Sequence, residues 1–290
     1  MATRASAGLQ SCVIKVESTR RSNGIGWLAA VTPLAILLAH YLAVLPHEFL
    51  HSFVAWATGI KSNPFDLHWG GASVGNILLL YNIDEKVDYK AAYAAGEGAS
   101  VAVVAMAGVA TNVVLYLVIR FAAPLWRTST RPFVAYLAFW FLFMQLANVY
   151  DYVPIRVAAS DGDVGQWVRA THMSPWLIYV VVGYLVLWAM IDLYRVVMPD
   201  ALDSSGITSP ASRAVVLVIA TVVMFTYFAW PGLLENGLLS VFIARTSLLL
   251  IPVILVVNWR RIVRRTTSSR RPDRVESSVP RTLAEDDPSL

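Results

Sequence analysis

Six stretches of about 20 residues are so apolar that burying them as a water-soluble core is not an option for this chain. They run from Trp27 to Leu45, Ser100 to Phe121, Phe133 to Tyr150, Pro175 to Val197, Arg213 to Trp230 and Leu238 to Val257. Each has roughly the 20 residues that a helix needs to cross a bilayer. Only 14% of the 290 residues are charged, against about 25% in a soluble domain. The expected class is therefore an all-α polytopic membrane protein with about six transmembrane helices, and the bilayer itself is a partner. The net charge of +4 sits at segment ends and in the tail. That distribution orients a membrane protein and excludes a nucleic-acid footprint. Arg20 and Arg21 precede the first span, Arg120 lies at the end of the second with Arg127 and Arg131 after it, and Arg260, Arg261, Arg264 and Arg265 follow the sixth. An even number of spans with both termini cytoplasmic satisfies these positions, and it puts the end of the first span near the opposite face.

Residues 1–24 read as a polar, basic tail, and residues 260–290 as a basic, disordered one. Between the first two spans, Gly70-Gly71 is followed by Ala72-Ser73-Val74-Gly75-Asn76-Ile77-Leu78-Leu79-Leu80-Tyr81. This run is too short to span, and its pattern predicts a small β-hairpin or edge strand after the first helix. Such a strand could hold an extended peptide by strand addition.

The chemistry concentrates in His47-Glu48-Phe49-Leu50-His51, which lies where the first span is expected to run on to Ala57. Residues four apart share one helix face, so both imidazoles can reach one metal ion. Glu48 then lies beside the open coordination position, where it can act as general base toward water. An ionisable trio in a membrane span marks a functional site by default. Cys12 is the sole cysteine, so any zinc must be held by histidine and carboxylate. His40, on the same face, reads as a packed histidine. Tyr152, near a span end, reads as an interfacial anchor.

Catalytic zinc usually has three protein ligands, so one is missing from the motif. The acids just past the third span, Asp151, Asp161 and Asp163, are the candidates. At this point the chain resembles the site-2 protease family of intramembrane zinc proteases. Members carry His-Glu-x-x-His in one membrane helix and a later Asn-x-x-Pro segment ending in Asp-Gly, whose aspartate is the third ligand. Here the corresponding stretch runs from Asn148 through Pro154 to Asp161-Gly162, and Ala107-Gly108-Val109-Ala110-Thr111-Asn112 is similar to the family's Ala-Gly-Pro-x-x-Asn element. The proline falls six residues after Asn148 rather than three, and Asp163 follows the Asp-Gly pair. The resemblance implies a catalytic core of three membrane helices over residues 25–167, with three additional membrane helices over 168–259. It implies a hydrolase, a zinc metalloprotease of intramembrane proteolysis, whose substrate is a membrane-embedded protein or peptide. His47 and His51 would bind the metal with Asp161, or with Asp163 as the alternative third ligand, and Glu48 would be catalytic. Many members place this site toward the cytosol, whereas the basic residues here place it toward the other face. Readings from other classes are a proton- or metal-ion-coupled transporter and a catalytically inactive protease-like scaffold.

Overall fold

The computed structural model describes residues 31–127, 131–160, 162–234 and 237–264, apart from the side chains of residues 126 and 127. Among the described residues, six helices are long and apolar enough to cross a membrane: α1 (Val31–Ala57), α2 (Gly98–Phe121), α3 (Pro132–Ile155), α4 (Pro175–Ser204), α5 (Pro210–Leu234) and α6 (Leu238–Ile262). This is an all-α, multi-pass architecture. The expected span boundaries widen by a few residues, and α1 continues, as the sequence suggests, through Pro46 and the whole histidine motif to Ala57.

α3 is the hub. About 67% of its most apolar stretch is buried against 17% for α6, so α3 is enclosed by protein while α6 offers most of its surface to lipid. Tyr136, Phe139, Trp140 and Phe143 of α3 pack with Ala35, Ala39 and Ala43 of α1 in the main core. These alanines, four apart, bring the α1 backbone close to its neighbours, as small residues do between membrane helices. Leu34, Leu38 and Leu42, displaced by one position, lie on the exposed face. At the ends of the helices away from the histidine motif, Arg120 of α2 holds Asp192 of α4 through two hydrogen bonds of 2.7 and 2.9 Å. There too, buried Arg213 of α5 meets Asp203 of α4 at 2.6 Å.

The expected hairpin after α1 is not formed, and among the described residues there is no strand. Val74–Leu79 is a short helix capped by Ser73, whose hydroxyl accepts from Asn76 N–H. The pairing that does occur is one isolated antiparallel bridge between His68 and Asp84. Gly70 and Gly71, at φ 69° and 86°, turn the chain. The Asn76 amide then donates to the carbonyls of Trp69 and Gly71, and its oxygen accepts from Asn82 N–H. These bonds close the segment on itself. The carbonyl of Leu79 accepts from His40 Nε2 at 2.7 Å, and Tyr41 donates to the carbonyl of Ile77. His40 lies seven residues before His47, or about 10 Å along the helix axis, so the loop dips past the level of the motif. At that depth an open strand edge would leave backbone groups without partners, whereas a helical turn keeps its bonds internal. Val74, Ile77, Leu78 and Leu79 are left exposed, as a lipid-facing turn requires.

Candidate metal centre

α1 presents His47 and His51 on one face, both buried. Their Nε2 atoms are 3.1 Å apart, and Asp163 Oδ2 is 3.1 Å from each. Among the described residues this is the group of three that could hold a metal ion. Asp163, the alternative of the sequence reading, is therefore brought to the histidines, while Asp161 lies outside the described residues. Asp151 instead pairs with Arg156 at 2.7 Å.

The carboxylate arrives there through two local breaks in helix geometry. Val153 is extended at φ −139°, ψ 115°, because a residue preceding proline is pushed out of the helical region. That kinks α3 two residues before its end at Ile155. Gly162 then sits at φ 87° and starts the Asp163–Thr171 helix, a conformation that glycine adopts without a Cβ penalty. The glycine of the Asp-Gly pair thus orients the acid after it.

Hydrogen bonds fix which imidazole nitrogens are free. The Asn112 amide donates to Ala43 O at 3.2 Å and to Gln145 Oε1 at 2.7 Å. Its oxygen therefore faces His47 Nδ1, 2.6 Å away, and that nitrogen must carry the proton. His51 Nδ1 likewise donates to Val104 O at 2.6 Å. Both Nε2 lone pairs point to the centre, the arrangement that metal-binding histidines adopt.

Gly108, on α2, makes room for both rings. A Cβ there would fall 2.5 Å from His47 Nε2 and closer still to His51 Nε2. The Ala-Gly-x-x-x-Asn element therefore has two jobs, clearance at Gly108 and orientation of His47 by Asn112 one turn later.

The donor set fits a tetrahedral cation. With bonds of about 2.0–2.1 Å, ligand atoms around zinc lie about 3.4 Å apart, close to the 3.1 Å triangle observed. Two imidazoles and one carboxylate suit zinc better than calcium or magnesium, which take oxygen cages.

Glu48 is buried and has no hydrogen-bond partner among the described residues. It lines a cavity of about 430 Å³ with Asp163, Tyr152, Arg156, Glu85 and Tyr89. Tyr89 donates to Glu85 Oε1 at 2.5 Å. Burial and the Glu85 carboxylate push that phenol well up, so it stays a neutral donor. Lys61 ties this wall to α1, donating to Ser52 Oγ at 2.7 Å and to the carbonyl of Glu85.

Sequence reasoning missed three participants. Tyr152, read as an interfacial anchor, puts its hydroxyl 3.1 Å from His47 Nε2. Gln145 backs Asn112, and Glu85 faces Glu48 across the cavity. A usable signal existed for Gln145: a polar amide within a largely apolar span is costly unless it is paired or serves a site. Comparison with protein-family models, curated proteins and solved structures returns no match.

Proposed function

We propose that the protein is an intramembrane zinc endopeptidase, a divergent relative of the site-2 protease family, hydrolysing a transmembrane or membrane-associated peptide. The observation that carries this reading is the equal-sided triangle of His47 Nε2, His51 Nε2 and Asp163 Oδ2 beside a buried Glu48 that makes no hydrogen bond among the described residues. His47, His51 and Asp163 would hold the metal, which when bound would polarise the scissile carbonyl and acidify water. Glu48 takes a proton from the attacking water as its oxygen bonds to the carbonyl carbon. The same carboxyl then returns that proton to the amine nitrogen as the C–N bond breaks. Asn112 and the Val104 carbonyl hold the imidazole rings in one tautomer throughout. The cavity is closed on one side by Asp84, Glu85 and Tyr89 of the loop after α1, which limits bulk water around the reacting peptide. The basic residues favour cytoplasmic termini, with this loop on the opposite side.

Reconstitution tests the reading. Zinc-loaded protein in liposomes, given a panel of membrane-spanning peptides, is expected to produce internal cleavages visible by mass spectrometry. A chelator should stop them, and added zinc should restore them. Zinc- or proton-flux across the liposome wall without any cleavage would instead support the transporter reading.

A further inference from the structure

Tyr152 stands in a position that neither metal binding nor proton transfer by Glu48 uses. Its ring stacks on His47, with centroids 5.3 Å apart and planes inclined by only 11°. The guanidinium carbon of Arg156 lies 4.5 Å from the centroid of the same ring. Arg156 in turn is fixed by the carboxylate of Asp151, 2.7 Å from its Nη2. Burial works against the Arg156 charge, but Asp151 and its neighbours more than compensate and raise its pKa, so the cation persists. The phenol is therefore held by the imidazole it stacks on and by this cation, and its hydroxyl has little freedom to wander.

That hydroxyl is 3.1 Å from His47 Nε2. Because His47 Nδ1 carries the imidazole proton, Nε2 is an acceptor, and Tyr152 must be the donor of this bond. Once Nε2 gives its lone pair to a metal, the phenol loses its acceptor while the ring stays where it is. Its O–H is then an unused donor on the wall of the cavity that Glu48 and Asp163 also line. A donor aimed at the place where charge develops is what an oxyanion requires.

We infer that Tyr152 is a further catalytic residue of this centre, its phenol O–H donating to the carbonyl oxygen of the scissile peptide as that oxygen becomes an oxyanion. The inference rests on the metallopeptidase reading above. As water oxygen bonds to the carbonyl carbon, the C=O π pair moves onto the carbonyl oxygen, and Tyr152 stabilises that charge by hydrogen bonding without giving up its proton. When the C–N bond breaks, the pair returns to the carbonyl and the hydrogen bond weakens. Phenylalanine would keep both ring contacts and remove only the donor.

The test is calorimetric titration of acetohydroxamate, a small oxyanion probe, into zinc-loaded wild-type and Tyr152→Phe protein, with zinc content measured in both. The variant should hold as much zinc as wild type and bind the probe roughly 10- to 100-fold more weakly, the loss expected for one hydrogen bond to a charged group. Affinity within about threefold of wild type would overturn the inference, because a lost charge-assisted donor costs more than that. Failure of Tyr152→Phe to hold zinc would also overturn it, since the residue would then be part of the scaffold. If wild-type protein takes up no zinc, or its zinc form ignores acetohydroxamate, the metallopeptidase reading itself falls and this role with it.

Discussion

Glu48→Gln is expected to keep the metal centre loaded while slowing peptide hydrolysis by roughly 10²–10⁴-fold, the range for removing one positioned general base. The expectation follows from where the side chain lies. Glu48 supplies none of the three converging ligand atoms, which come from His47, His51 and Asp163. It borders the cavity instead, with no hydrogen bond among the described residues that an amide would break. Glutamine has nearly the same volume, so packing in the first turn of the motif is preserved. What disappears is the only group on α1 placed to accept a proton from water and pass it on. Single-turnover cleavage with wild-type and variant liposomes, alongside zinc content, measures both halves. Undiminished turnover in a zinc-loaded variant would remove Glu48 from the mechanism.

Gly108→Ala should destroy the centre from the outside. The added methyl would lie 2.5 Å from His47 Nε2 and nearer to His51 Nε2, far inside contact distance, and neither ring has room to retreat. His47 is stacked against Tyr152 and tied to Asn112, and His51 is tied to the Val104 carbonyl. Displacing metal-orienting contacts typically costs 10- to 100-fold in metal affinity, and displacing two ligand atoms together should reach at least the upper end. Overpacking adds about 1–3 kcal/mol of lost stability. Competition with a chromophoric chelator reads the zinc affinity directly. Gly183→Ala is the matched control, because a Cβ at that helical glycine meets nothing within 4 Å, and its zinc affinity should be that of wild type. Equal affinities for the two variants would show that Gly108 does not sit against the histidines.

The parts of the molecule that were legible in sequence are those set by local periodicity or by the bilayer. The spans could be read because hydrocarbon thickness translates directly into apolar run length. The histidine pair could be read because a spacing of four is a property of one helix. Residues 72–81 were misread as strand. Their leucines and valine carry a β pattern, but Ser73 and Asn76 satisfy the backbone in a helical turn, and depth in the membrane favours that solution. The third member of the His-His-Asp cluster was only half legible. Asp161 and Asp163 lie two residues apart, and the choice between such positions depends on a backbone turn at Gly162 that residue spacing alone does not encode. Tyr152 was hidden for a related reason: it acquires its role only when α3 returns against α1.

Zinc bound per chain, measured side by side in purified wild type, Asp163→Ala and Asp161→Ala, tests the central claim most directly. Wild type and Asp161→Ala should each retain about one zinc, the complement of a single three-ligand site. Asp163→Ala, stripped of the carboxylate that lies 3.1 Å from both imidazole nitrogens, should retain almost none. Full zinc in Asp163→Ala, or a wild type that holds no zinc at all, would contradict a metal centre built from His47, His51 and Asp163.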